Sequence, residues 1–217
     1  MADLKEIRTR LFASLLSDVL DALGCMTQAL PARIRPLDDA SIMVGRARTA
    51  LFADIYEVRP DVNPYELEIA LIDSLKPDEI PVFSCGATGR IAPWGELLST
   101  ASKVRGAAGA LMDGLVRDIK AIREMGFPVF HGGIGPLDSK GRGRIVELDV
   151  PVECAGVRVA PGDLIFGDAD GVVVVPQAIE AQVLAAAFEK LKGERSTLAE
   201  LRAGISLGEV FAKYGVL

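Results

Sequence analysis

Between residues 79 and 131 the chain alternates between two kinds of segment. EIPVFSC, AGALMD and FPVFH are short and apolar, whereas GELLSTASKVR and RDIKAIREM place apolar residues at helical spacing. Strand, helix, strand, helix, strand is the βαβ pattern. It forces parallel pairing, because a chain that must return to the same end of a sheet needs a crossover helix. Few architectures accept such a run, and all of them pack helices against a sheet.

The flanking regions extend this reading. Leu4, Ile7, Leu11, Leu15, Val19 and Leu23 lie on one helical face that Gly24 stops. IMVGRARTALFA at 42–53 reads as a strand, and Asn63-Pro64 followed by ELEIALIDSL reads as a helix start. A glycine-rich loop, GGIGPLDSKGRG, occupies 132–143. Beyond it come closely spaced strands, RIVEL, VPVECAG, VRVAPGD, LIFGD and VVVVP, with Asp170-Gly171 as a tight hairpin turn between the last two. Helices are expected at about 177–192 and 194–202. Half of the 217 residues are hydrophobic, enough for a sizeable core. The expectation is one α/β domain over 1–217, with a mixed sheet inside and helices outside.

Charge and composition exclude several functions. The net charge is −6 and no basic stripe occurs, so nucleic acid is not expected as a partner. No apolar run approaches the roughly 18 residues of a membrane span. The first residues, MADLKEIRTR, carry charges and no apolar stretch, so no secretory leader is expected there and a cytoplasmic location is. Cys25, Cys85 and Cys154 are odd in number and far apart, which fits a reducing compartment. His131 is the only histidine, so a metal site would be built from carboxylates, carbonyls and water, suiting Mg²⁺ or Mn²⁺. Its place beside the glycine loop reads as structural. GDADG at 167–171 lacks the spacing of a calcium loop and reads as a turn. Every lysine sits in a polar or helix-surface context, which argues against Schiff-base chemistry.

Two helix starts then stand out. Arg117-Asp118 opens a helix directly after the apolar run AGALMDGLV, and Gly95-Glu96-Leu97-Leu98 opens the helix before the same run. Open α/β sheets bind ligands at the carboxyl ends of their strands, where helix N-termini aim free N–H groups outward. Arg117 offers a fork of donors for a carboxylate or keto oxygen, and Asp118 a ligand for a hard cation. The plainer alternative makes Asp118 a first-turn acid favoured by the helix dipole and Arg117 a surface cation.

The acid at 96, twenty residues, then Arg117-Asp118 resembles the signature of the RraA-like family, which includes the class II 4-hydroxy-4-methyl-2-oxoglutarate/4-carboxy-4-hydroxy-2-oxoadipate aldolases. GELLSTA, RGAAGALMDGLVRD, the stretch Ser17–Leu23 and APGDLIFGDADGVVVVP are similar to the family's blocks, so the resemblance spans nearly the whole chain. It implies an α-β-β-α sandwich assembled as a homotrimer or homohexamer, with sites between subunits. It implies an aldolase that cleaves a 4-hydroxy-2-oxo di- or tricarboxylic acid, releases pyruvate and decarboxylates oxaloacetate. In that picture the backbone amides of Leu97 and Leu98, with Gly95 before them, hold the pyruvyl carboxylate, and Arg117 contacts the pyruvyl group. Asp118 binds Mg²⁺ or Mn²⁺, Glu96 holds water on the metal, and Glu194 is the candidate for an acid supplied by a neighbouring subunit. The commonest residue at position 96 is Asp, so Glu96 departs from the pattern by one methylene. The family also contains a non-catalytic regulator of an RNA-processing enzyme, the alternative reading. That regulator lacks the acid after the arginine, which this chain has.

Overall fold

The computed structural model describes residues 3–86 and 89–215. The first apolar stripe forms two helices, α1 (Leu4–Arg10) and α2 (Ala13–Ala22), where one was expected. Leu11 and Phe12 between them are extended, and the carboxylate of Asp168 accepts the Ala13 N–H at 2.8 Å. A side chain distant in sequence thereby starts the second helix and resets its phase.

After β1 (Arg35–Pro36) comes the long strand β2 (Met43–Asp54), then α3 (Glu66–Asp73). The alternating segment yields β3 (Glu79–Ser84), α4 (Glu96–Val104), β4 (Ala110–Met112), β5 (Leu115–Val116), α5 (Ile119–Met125) and β6 (Val129–His131). AGALMD is therefore the first of two short strands, broken at Asp113-Gly114. The glycine loop contains a strand that its sequence did not suggest, β7 (Gly133–Ile134), which pairs with β5 in parallel. The remaining strands are β8 (Gly143–Leu148), β9 (Val152–Cys154), β10 (Val157–Val159), β11 (Leu164–Asp168) and β12 (Gly171–Val175). The turn between β11 and β12 pairs Asp168 with Gly171, as the GDADG reading expects.

At the C-terminus the expected break at Gly193 does not occur. After a 3₁₀ turn at Gln177–Ile179, α6 runs unbroken from Glu180 to Arg202, followed by α7 (Leu207–Tyr214). A mid-helix glycine costs only about 1 kcal/mol relative to alanine. The apolar contacts of Val183, Leu184, Ala187 and Leu191 hold the helix before it.

The main sheet has the order β1-β6-β4-β3-β2-β11-β12, with β8 also on β2. β2, β3, β4 and β6 are parallel, while β8, β11 and β12 add antiparallel pairs. This is the mixed sheet expected. Side chains alternate between its faces with period two. Ile80, Val82, Leu111, Phe130 and Ile165 face one way, into a core closed by the β9–β10 hairpin through Val152, Cys154, Val157 and Val159. The opposite face is covered in two halves. Phe83, Ala110, Met112 and Val129 of the parallel half lie under α3, α4 and α5, whereas Leu164, Phe166, Val173 and Val175 lie under α1, α2 and α6.

Asp113 ties these layers together. It is buried, and its carboxylate accepts the Cys85 N–H at 2.6 Å from the end of β3 and the Ala155 N–H at 3.0 Å from the β9–β10 turn. Asp113→Ala is expected to lower stability by about 2–4 kcal/mol, since each buried donor left unpaired costs about 1–3 kcal/mol. Asp113→Asn, which keeps one acceptor oxygen, should lose less. Urea midpoints test this, and an Ala variant within 0.5 kcal/mol (roughly the background of surface changes) would refute it.

Candidate active site at the start of helix α4

Trp94 determines where the two helix starts meet. Its ring is fully buried, edge-on to Phe83 and stacked with Phe127 at 6.4 Å, and its Nε1–H donates to Ser99 Oγ at 2.7 Å. Its backbone bridges to Val116 in parallel, and its carbonyl accepts the Arg117 N–H at 2.9 Å. The end of β5 is thus laid alongside the residue that precedes α4, bringing Arg117 and Asp118 against Gly95.

Only a glycine permits this approach. A Cβ at position 95 would stand 2.5 Å from Asp118 Oδ2 and 3.1 Å from Arg117 Cγ. Asp118 adopts a left-handed conformation, φ 57° and ψ 32°, tolerated by Asp better than by most residues. In it, Oδ2 accepts the Glu96 N–H at 3.2 Å. Such a backbone outlier persists where the surroundings impose it, and it clusters at functional sites. With the Glu96 amide taken by Asp118 and Gly95 offering no side chain, the N–H groups of Leu97 and Leu98 are the first-turn donors left to a ligand.

Arg117 is surrounded by acids and not saturated by them. Its Nη2 lies 3.7 Å from Asp138 Oδ1 and its Nε 3.9 Å from Asp118 Oδ2, while the Nε–H is buried without a hydrogen-bond partner. Asp138 is further held by the Tyr65 hydroxyl, which donates to Oδ2 at 2.6 Å. Burial pushes the Asp138 pKa upward, but the Tyr65 hydrogen bond, the Arg117 charge and the N–H groups of Lys140 and Ser139 outweigh it and leave it below the ordinary value. The Tyr65 phenol is pushed up to about 12 by burial and by its bond to Asp138. Behind them Glu68 is buried on α3 and accepts from Ser139 Oγ at 3.3 Å. Burial first, then the nearby Asp138, raise its pKa to about 7 against the opposing effects of Ser139 and Arg117.

These groups line one cavity of about 470 Å³, whose remaining wall is formed by Ile69, Ile72, Pro93, Leu97, Leu98 and Ala101, with Asp73 beside them. No lysine occurs among the described residues that line it. His131 lies elsewhere, buried at the end of β6 beside Arg35, with its pKa lowered by burial.

The structure therefore brings together Gly95, Leu97, Leu98, Arg117 and Asp118. Glu96 joins through its backbone N–H, while its side chain is exposed and does not line the cavity. Glu194 is not brought there within its own chain, since it lies in α6, which packs on α2 and α7. Tyr65, Glu68, Asp138 and Ser139 were missed by sequence reasoning. One signal was available: Glu68 shares a helical face with Leu71 and Ile72, an acid where the pattern calls for an apolar residue. Asp138 and Ser139 sit in the glycine loop, whose turns masked them.

Among the described residues no group of three or more His, Cys, Asp or Glu side chains could enclose a metal ion. A hard cation that keeps its water and borrows oxygens from substrate needs only one or two carboxylates. Asp118, at the N-terminus of α5, offers one such carboxylate beside the start of α4 that Glu96 opens.

The family model RraA-like (Aldolase/RraA) matches residues 13–174. The chain belongs to the RraA-like family. A relative from Halalkalibacterium halodurans, named "Putative 4-hydroxy-4-methyl-2-oxoglutarate aldolase", is 37% identical over 175 residues, covering 81% of this chain and 77% of that protein. Two crystal structures share the RraA-like fold. An uncharacterized protein from Pseudomonas syringae pv. tomato superposes with a TM-score of 0.85 at 27% identity, covering 97% of this chain and 93% of that one. RraAS2 of Streptomyces coelicolor, described as an unusual member of the RNase ES inhibitor RraA protein family, gives 0.78 at 26% identity, covering 89% and 94%. Among the described residues no helix is long and apolar enough to cross a membrane.

Glu68 gives a test of the cavity's electrostatics. Its pKa rises from 4.5 to about 7 on folding, so between those pH values the folded chain binds a proton that the unfolded chain has lost. Stability contributed by this group must then fall as pH rises through that window. Glu68→Gln should flatten the fall and raise the melting temperature at pH 8, by about 2–4 °C for each kcal/mol gained. Thermal scans from pH 4.5 to 8 decide it, and parallel curves for the two proteins would contradict the assignment.

Proposed function

We propose that the protein is a divalent-metal-dependent aldolase that cleaves a 4-hydroxy-2-oxo acid and releases pyruvate, with accompanying oxaloacetate decarboxylase activity. The di- and tricarboxylic acids are the substrates that the relative's name and the signature suggest. The observation that carries the reading is the meeting of Arg117, Asp118 and the first turn of α4 across Gly95 in one cavity. A homotrimer or homohexamer, with Glu194 reaching a neighbour's site, belongs to the same proposal.

In the proposed reaction the Leu97 and Leu98 amides bind the carboxylate of the pyruvyl end. Arg117, with its unpartnered Nε–H, directs donors at the adjacent keto oxygen. Loss of the C4 hydroxyl proton, with Glu96 or Glu194 assisting as base, lets the C3–C4 bond break. The C4 oxygen becomes the carbonyl of the departing product, and the bond's electron pair passes through C3 to the keto oxygen, giving the pyruvate enolate. Protonation at C3 completes pyruvate. Mg²⁺ or Mn²⁺ held by Asp118 would supply Lewis-acid stabilisation of that oxygen. Arg117 meets the same charge as it develops, in a site already shaped for it. Asp138 and Tyr65 hold the guanidinium in place.

The direct test is pyruvate release from several 4-hydroxy-2-oxo acids with Mg²⁺, and again after chelation. No release from any of them in the presence of metal would refute the reading and favour the regulator role. Asp118→Ala should abolish the metal-dependent rate while shifting stability little, since a first-turn acid contributes about 0.3–1 kcal/mol to its helix. Near-normal turnover in that variant would take the metal away from Asp118. Arg117→Ala should depress aldol cleavage and oxaloacetate decarboxylation alike, by ~10²–10³, the usual cost of one lost donor to an oxyanion. Arg117→Lys should restore little, lacking the planar fork. Steady-state kinetics on both substrates tell whether the losses run together.

A further inference from the structure

The proposed reaction ends with a proton delivered to C3. A substrate held at the Leu97 and Leu98 amides and at Arg117 leaves C3, one bond beyond the keto carbon, to face the opposite wall, made by α3 and the loop at 138–139. The polar side chains of that wall are Tyr65, Glu68, Asp73, Asp138 and Ser139. Asp138 is held ionised beside Arg117, and Asp73 is paired with Arg105. Tyr65 gives its proton to a 2.6 Å hydrogen bond with Asp138, and its phenol, pushed up to about 12, releases that proton reluctantly. The Ser139 hydroxyl is a weaker acid still. Glu68 differs from all of these. Its place on α3 is fixed by Leu71 and Ile72, which bury the same helical face. It is 4% exposed within its own chain, so its surroundings are set by that chain's α3, loop and Arg117. Oε1 accepts from Ser139 Oγ at 3.3 Å, while Oε2 makes no hydrogen bond among the described residues and is left to carry a proton. With its pKa raised to about 7 by burial, this carboxyl keeps that proton near neutral pH and gives it up readily, as a general acid must.

We infer that Glu68 is a catalytic acid of this site, returning a proton to C3 of the enolate as pyruvate forms. The inference rests on the aldolase reading and supplies the step that Arg117, Asp118 and the acids assisting at C4 leave open. In that step the Glu68 O–H bond breaks, and a C3–H bond forms with the electron pair of the enolate double bond. The enolate oxygen becomes a keto oxygen again. Glu68 is left as a carboxylate and takes its next proton from water, balancing the one that the C4 hydroxyl lost earlier in the cycle. Run backwards on pyruvate, the same carboxylate removes a methyl proton.

The experiment follows pyruvate by proton NMR in heavy water, with the full-length protein and Mg²⁺. The wild type should exchange the methyl protons for deuterium. Glu68→Gln, close in shape and unable to pass the proton, should slow that exchange by about 10²–10⁴-fold, the usual contribution of a positioned acid or base. Oxaloacetate decarboxylation in the same variant should fall by less than about tenfold, because CO₂ leaves before C3 is protonated and a released enol reverts to pyruvate in water. Oxalate, a flat stand-in for the enolate, should bind the variant by calorimetry with an affinity close to that of the wild type. Exchange at the wild-type rate in Glu68→Gln overturns the inference and leaves the aldolase standing. Equal losses in exchange, decarboxylation and oxalate affinity also overturn it, because they make Glu68 a support of the site and not its acid. A wild type that decarboxylates oxaloacetate without exchanging pyruvate overturns the inference alone. One that does neither removes the aldolase reading, and the acid with it.

Discussion

Strand β2 pairs with β3 along residues 46–51, with β11 along 43–46 and with β8 along 50–54. One edge of its twelve residues is satisfied by a parallel neighbour, and the other is divided between two antiparallel ones, with an irregularity between Leu51 and Phe52. Backbone groups in a buried strand must all find partners, so this division determines the rest of the fold. The parallel edge launches the crossover units that carry α4 and α5, and with them the helix starts at Gly95 and Asp118. The antiparallel edge carries the strands that α2 and α6 cover. Site and scaffold thus occupy opposite ends of one hydrogen-bonded ladder.

Much of this was legible in the residues. Period-two and period-3.6 patterns gave the strands and helices of 79–131, and the acid at 96 with Arg117-Asp118 marked two helix starts that the fold brings together at Gly95. What escaped notice depended on contacts between residues distant in sequence. The division of α1 from α2 comes from Asp168, more than 150 positions later. Continuity through Gly193 comes from packing on α2, which local propensity does not include. Asp138 is ordinary in its loop and acquires a role only because Tyr65 and Arg117 lie across from it. Glu68 was visible as an acid on an apolar face, but a single sequence does not say whether such an acid is tolerated or employed. Glu194 lies in α6, away from the cavity within its own chain.

The cavity concentrates carboxylates around one guanidinium, and the balance is kept in several ways at once. Asp138 is neutralised by Arg117 and a phenol, Asp73 by Arg105, and Glu68 by retaining its proton up to about neutral pH. Asp118 alone keeps an exposed carboxylate with only a backbone amide and a distant Nε as company. An acid left so is a standing invitation to a cation.

Trp94 is the only tryptophan in the chain. It sits one residue before Gly95, bonded through its indole to Ser99 in α4 and through its carbonyl to Arg117. Intrinsic fluorescence in most proteins averages over several indoles scattered through the structure. Here the whole indole signal originates beside the first turn of α4, shielded from solvent and in register with the arginine. Whatever docks against that turn must alter the surroundings of this one chromophore, so the molecule carries a built-in optical gauge of its own site, readable without any label.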